Sequence, residues 1–367
     1  MQTKLWRLTN KNLPEELAEA AELIKAGQLV AFPTETVYGL GANGLDGEAC
    51  KKIFAAKGRP VDNPLILHIS KIEEIYPLTS GLTDHAKKLA AAFWPGPMTL
   101  IVHKSALIPE VVTAGLDTVA VRMPSNKVAN TLIALSGCPI AAPSANKSGR
   151  PSPTRAEDVL ADMDGNIAGV IDGGACDIGV ESTIVDTTEK VATILRPGGI
   201  TLEMLQKVLG QVKIDPGLIL PNQVPKAPGM KYKHYAPKAA MYLIEGPEAA
   251  QGVKEVVRLA LTTGCKFGVV AAESTIKQLP VSAQIVSHSW ENTQKDMAEK
   301  LFTYLRRFDG ENVDFIIGEG TSEHNLGLAI MNRMRKSAAH NIFIAKDGKL
   351  FWHSGKIPKF LEEIVLK

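Results

Sequence analysis

Apolar residues recur at two spacings along this chain, every three to four positions in some stretches and in short continuous runs in others. The segment 14–26 carries Leu17, Ala20, Ala21 and Ile24 on one helical face and ends at Gly27. The segment 46–57 has apolar positions at 49, 50, 53, 54 and 56, with Asp46 placed as an N-cap and Gly58 as a left-handed C-cap. Further helical patterns lie at 83–93, 126–136, 154–162 and 201–209, the one at 154 opening on Thr154-Arg-Ala-Glu157, a capping box. Between them, short apolar runs at 29–32, 65–69, 98–103, 118–121, 140–142, 170–171, 182–186 and 192–195 read as buried strands. The alternation predicts an α/β domain over 1–209.

From 210 to 238 the pattern breaks on Pro216, Pro221, Pro225, Pro228 and Pro237, which predicts a Pro-rich linker or lid. Strand and helix patterns then resume: strands at 241–244, 267–271, 283–286 and 315–317, helices at 247–262, 293–308 and 326–337. This predicts a smaller, accessory Rossmann-like α/β domain over 239–345, followed by a C-terminal tail over 346–367. No Gly-rich nucleotide fingerprint accompanies it.

With 367 residues, two cores are the default expectation. A hydrophobic content of 45% and a charged content of 22% are those of a soluble globular protein. The net charge of +2 gives no bulk attraction for nucleic acid, so any basic site is local. No signal-like or membrane-length apolar run appears, and the expected location is cytoplasmic, with no membrane partner. Cys50, Cys138, Cys176 and Cys265 form no Cys-x-x-Cys and read as small buried hydrophobes.

Candidate chemistry gathers at predicted strand and helix ends. Lys57-Gly-Arg59-Pro leaves the end of a helix, where capping accounts for Lys57, Gly58 and Pro60 but not for Arg59. No P-loop occurs anywhere in the chain. Gly39-Leu-Gly41-Ala-Asn-Gly44 matches G-x-G-x-x-G, yet the next strand ends in Ser70 without an acid, so these read as turn glycines. Pro33-Thr34-Glu-Thr-Val-Tyr38 follows a strand and either lines a cleft or decorates an edge. Pro143-Ser144-Ala-Asn146 also follows a strand and offers donors to phosphate oxygens, though its residues are ordinary turn formers too. Arg122 and Arg196 likewise follow strands, and with Lys57 and Arg59 they argue jointly for an anion-lined cavity. No H-x-x-x-H or G-x-S-x-G is present, which removes zinc and serine hydrolase readings.

Taken in order, Pro33-Thr34-Glu-Thr-Val-Tyr-Gly, Lys57-x-Arg59-Pro with Asn63-Pro, Trp94-Pro-Gly-Pro, Val121-Arg122-Met-Pro, Pro143-Ser144-Ala-Asn146 and Pro228-Gly-Met-Lys-Tyr-Lys-His-Tyr-Ala-Pro resemble the YrdC-like family. The length and second domain resemble its two-domain threonylcarbamoyl-AMP synthase branch. That resemblance implies an open twisted mixed sheet around a basic cavity. It also implies synthesis of threonylcarbamoyl-adenylate from L-threonine, bicarbonate and ATP, with release of pyrophosphate and with Mg²⁺ accompanying ATP. The product would serve threonylcarbamoyladenosine formation beside the anticodon of tRNA. A separate transferase similar to the Kae/TsaD family would carry it there, so tRNA is an indirect partner.

Carried onto this chain, the resemblance assigns catalysis to Lys57, Arg59, Ser144 and Asn146. ATP would meet these four together with Asn63, Thr118, Ser152, Arg196, Tyr232 and Tyr235, the two tyrosines bringing the linker over the nucleotide as a lid. Threonine would meet Thr34, His68, Arg122, Ala142 and Ser182, with Arg122 on its carboxylate. Two other readings stay open: a carbamoyl-transfer module like that of hydrogenase maturation proteins, whose Cys-x-x-Cys motifs are missing here, and an RNA-binding module, disfavoured by the absence of a basic stripe.

Overall fold

The computed structural model describes residues 2–9, 11–218, 235–291 and 293–362. They divide into two units, one built from residues up to 148 with 152–218, the other from 149–151 with 235–362.

The first unit holds twelve strands: β1 (Lys4–Arg7), β2 (Val30–Phe32), β3 (Gly39–Asn43), β4 (Ile66–His68), β5 (Thr79–Gly81), β6 (Met98–Lys104), β7 (Thr118–Arg122), β8 (Ile140–Ala141), β9 (Gly169–Asp172), β10 (Thr183–Asp186), β11 (Thr193–Arg196) and β12 (Lys213–Ile214). They form one mixed sheet in the order β1-β9-β2-β3-β8-β4-β7-β6-β10-β11-β12, with β5 paired to β6. Helix Leu13–Lys25 buries Leu17, Ala20, Ala21 and Ile24, as its spacing predicts, in a cluster with Val128, Leu132 and Ile133 of helix Lys127–Ser136 and with Val30 and Phe32 of β2. Helix Gly47–Lys57 starts where Asp46 accepts from the backbone N–H groups of Glu48 and Ala49, and stops at Gly58, whose φ of 60° is left-handed. Its buried Cys50, Ile53 and Phe54 join the main core.

Four local expectations change. Gly39 and Gly41 are not turn residues but lie within β3. A Cβ at Gly41 would stand 2.8 Å from Ile140 Cγ2 and 2.9 Å from Phe32 Cε1, so close packing across the sheet demands glycine there. Thr154 is not an N-cap: the helix runs Ala156–Met163 with Arg155 at its N-cap position and no side-chain cap, and Thr154 is buried. The start of the Pro-rich stretch is part of the sheet, since β12 pairs in parallel with β11 and Val212, Ile214 and Leu218 pack on the main core. The stretch expected as a C-terminal tail supplies a strand and a buried Leu361 to the second unit.

That second unit has β13 (Ala240–Glu245), β14 (Phe267–Ala272), β15 (Ile285–Trp290), β16 (Phe315–Glu319), β17 (Ile342–Lys346) and β18 (Lys349–Ser354), ordered β15-β14-β16-β13-β17-β18. All pairs are parallel except β17 with β18. On helix Gln294–Glu311 the spacing predicts a face of Met297, Leu301, Tyr304, Leu305 and Phe308, of which all but the half-buried Tyr304 are buried.

Candidate active site

Strand register sets the candidate site. β4 runs parallel to β7 and places His68 beside Arg122, while antiparallel β7 and β6 place Arg122 opposite Thr99. β6 and β10 then pair Thr99 with Ile184, and β10 and β11 pair Ile184 with Arg196 at a bulge, which sets both Leu195 and Arg196 opposite Ile184. Directly paired residues share a face of the sheet. His68, Arg122, Thr99 and Arg196 therefore form a row across five strands, about 19 Å long at the usual strand spacing. Beside this row Ile66, Ala120, Ile101, Ile184 and Leu195 make a small buried apolar cluster. The alternate residues Leu67, Val121, Leu100 and Val185 face the main core. Over β4, β7, β6 and β10 one sheet face thus packs on the main core and the other carries the polar row beside the small apolar cluster, while at β2, β8 and β9 that same face is covered by helices Leu13–Lys25 and Lys127–Ser136.

At one end of the row, His68 Nδ1 lies 3.2 Å from the carbonyl of Ile66 and 3.3 Å from that of Ile140. Two acceptors there keep the proton on Nδ1 and leave Nε2 as an acceptor. Burial, reinforced by the Arg122 cation, pushes the pKa of His68 down to about 3, so the ring is neutral near pH 7. Arg122 donates from Nη1 to Thr36 Oγ1 at 3.0 Å and pairs through Nη2 with Glu35 Oε1 at 2.7 Å, both side chains buried. The Thr36 and Thr34 hydroxyls meet at 2.8 Å, and Thr34 Oγ1 donates to the Val37 carbonyl at 2.6 Å. Thr34 also accepts from the N–H groups of Thr36 and Val37, so its hydroxyl closes the turn after β2.

At the other end, Arg196 donates from Nε to the Ser182 carbonyl and from Nη2 to Ser182 Oγ, each at 3.0 Å. Ser182 Oγ meets Thr99 Oγ1 at 2.8 Å. A short bonded chain thereby fixes Arg196, Ser182 and Thr99 as one group.

The loop after β8 adds the third part. Ala142, buried, donates its N–H to the Ile66 carbonyl at 2.9 Å, and Ser144 bridges back to Gly39. Ser144 Oγ donates to Asn146 Oδ1 at 2.5 Å. The Lys57 ammonium, buried at the helix end, donates to the carbonyls of Ser144, at 2.5 Å, and Asn146. Arg59 donates to the carbonyls of Asn63 and Pro64, at 3.2 and 3.1 Å. Both cations thus hold backbone carbonyls and shape the loops that carry Ser144, Asn146 and Asn63. Asn63 Oδ1 is buried without a hydrogen bond among the described residues. Ser152 donates to Glu181 Oε1 at 2.6 Å.

Thr118 opens β7, on the face of Arg122 but about 13 Å along the strand. Tyr235 belongs to the second unit, its ring stacked on Phe302 with centroids 5.2 Å apart and the Arg333 guanidinium 5.8 Å from its centroid. Tyr232 lies outside the described residues. Thr99 joins these groups without having been singled out from sequence, and Glu35 and Thr36 join them as part of the stretch 33–38 that the sequence offers as a cleft lining or an edge. Thr99 carries no signal of its own, because only strand register brings it beside Arg122.

Among the described residues, no group of three or more His, Cys, Asp or Glu is arranged to hold a metal ion, and no helix is long and apolar enough to cross a membrane.

Comparison with known proteins supplies the family. Residues 22–198 match the Sua5/YciO/YrdC family model, described as "Telomere recombination", and residues 200–339 match that of the threonylcarbamoyl-AMP synthase C-terminal domain. The chain is 49% identical over 326 residues to the threonylcarbamoyl-AMP synthase of Pyrococcus abyssi, covering 88% of this chain and 94% of that one. It is 46% identical over 350 residues to the Bacillus subtilis protein of the same name, covering 93% and 99%. The crystal structure of Pyrococcus abyssi Sua5 complexed with L-threonine superposes with a TM-score of 0.88 at 45% identity, over 94% of this chain and 100% of that chain. Similarity of this extent, running through both units, shows that the chain belongs to the threonylcarbamoyl-AMP synthase family.

Proposed function

We propose that this protein joins L-threonine, bicarbonate and ATP into threonylcarbamoyl-adenylate and releases pyrophosphate, acting in the cytoplasm. The observation that carries the proposal is identity of 46–49% over nearly full length with two threonylcarbamoyl-AMP synthases. The geometry supports it. Arg122, at the end of the row, suits the threonine carboxylate, and the neutral His68 ring beside it offers Nε2 as an acceptor for the threonine hydroxyl. Ser182, the Thr34 turn and Ala142 would meet the same substrate.

ATP would lie against Lys57, Arg59, Ser144 and Asn146, with Arg196, Asn63, Ser152 and Thr118 contributing further along. Carbamate attack on the α-phosphorus, in line with departing pyrophosphate, depends chiefly on positioning and on neutralising charge. Lys57 serves both needs: it is a cation, and it fixes the loop bearing the Ser144 hydroxyl. Mg²⁺ would arrive on the ATP phosphates, the usual mode for an ion that keeps its waters and takes few protein ligands. Tyr232 and Tyr235 would act through the linker as a lid that protects the adenylate from water. A mixed anhydride of this kind needs a following acyl transfer, here by a Kae/TsaD-like enzyme acting on tRNA.

Pyrophosphate release that requires both threonine and bicarbonate tests the proposal. Lys57→Ala is expected to lower turnover by about 10²- to 10³-fold, the range for loss of one preorganised donor. Turnover equal to wild type in Lys57→Ala, or release independent of threonine, would overturn it.

A further inference from the structure

Glu35 is buried to 5% exposure, its backbone carbonyl is fixed by the Ile178 N–H at 2.9 Å, and its carboxylate faces Arg122. A buried arginine–carboxylate pair that serves only itself adopts two parallel, aligned hydrogen bonds. This pair does not. The nearest approach is Arg122 Nη2 to Glu35 Oε1 at 2.7 Å, and none of Glu35 Oε1 and Oε2 or Arg122 Nε and Nη2 makes an aligned hydrogen bond among the described residues. Four polar atoms shielded from water with that much unused capacity are costly unless a ligand completes them. Their layout is the complement of a zwitterion: donors of a cation beside acceptors of an anion, at the end of a polar row on an apolar floor.

Resting on the threonine reading above, we infer that Glu35 is a substrate-binding residue that takes the α-ammonium of the amino acid while Arg122 takes its carboxylate. The pair then selects α-amino acids over acids that lack the nitrogen. Thr36 holds Arg122 through Nη1, so Nε and the Nη2 that faces Glu35 keep hydrogen-bonding capacity for the ligand.

The test is calorimetric binding of L-threonine and of 2,3-dihydroxybutanoate, in which a hydroxyl replaces the ammonium, to wild type and Glu35→Gln. Wild type should bind threonine at least about tenfold more tightly than the hydroxy acid. Glu35→Gln, nearly isosteric, should weaken threonine about tenfold or more and leave the hydroxy acid within about twofold. Equal weakening of both ligands would show that Glu35 acts only by positioning Arg122, and unchanged threonine affinity would show no role; either overturns the inference. Should Glu35→Gln fail a thermal-melt check for folding, the wild-type comparison decides, equal affinities overturning the assignment. Pyrophosphate release with threonine but no discrimination between the ligands overturns only the role of Glu35. Absence of threonine-dependent release overturns the threonine reading itself.

Discussion

The cations that make this site are not free charges waiting for a nucleotide. Lys57 and Arg59 grip carbonyls, Arg196 grips Ser182, and Arg122 is divided between Thr36 and Glu35. Each is therefore oriented before any substrate arrives, which is what electrostatic preorganisation requires. His68 contributes the opposite property, a ring kept neutral. Its pKa is depressed from 6.5 to about 3, so between these values the unfolded chain binds a proton that the folded chain does not. Stability from this residue is fully present above pH 6.5 and falls as pH drops toward 3. Between pH 7 and pH 5 wild type should lose about 2 kcal/mol more unfolding free energy than His68→Asn, in which an amide replaces the Nδ1 donor. Urea titrations at the two pH values give the comparison, and parallel losses would sink it.

Among the elements, amphipathic helices are the most legible. Asp46, Leu17, Ile24 and the 293–308 face occupy the places their spacing predicts, because a helix is specified within a few residues of itself. Elements fixed by distant partners are not legible in this way. Gly39-Leu-Gly41 reads as a turn until β3 is seen between β2 and β8, where Phe32 and Ile140 leave no space for a side chain. Gly41→Ala should accordingly cost about 1–3 kcal/mol, the usual penalty of overpacking, and a urea midpoint unchanged from wild type would contradict that packing. Thr154 shows the reverse error: a capping box in sequence, but the hydroxyl is buried and the helix starts after it.

For the whole molecule, the two units have separate hydrophobic cores. The boundary moves. β12 extends the first sheet beyond residue 209, and Val212, Ile214 and Leu218 cover part of its core. A fragment ending at 218 should therefore exceed one ending at 209 by about 2 kcal/mol in unfolding free energy, on the scale of burying a side chain or two. Equal thermal and urea stability of the two fragments would show that β12 contributes nothing.

Sequence alone determined the α/β class, most helices and the motifs that carry the family, since periodicity, capping residues and ordered motifs are local properties of the chain. Tertiary structure alone decided which of those residues meet. His68, Arg122, Thr99 and Arg196 share a row only because β4, β7, β6, β10 and β11 pair in that order and register. A shift of one residue in any pairing would turn its side chain to the opposite face of the sheet. Register depends on the summed packing of segments distant in sequence, and no short stretch of the chain records it.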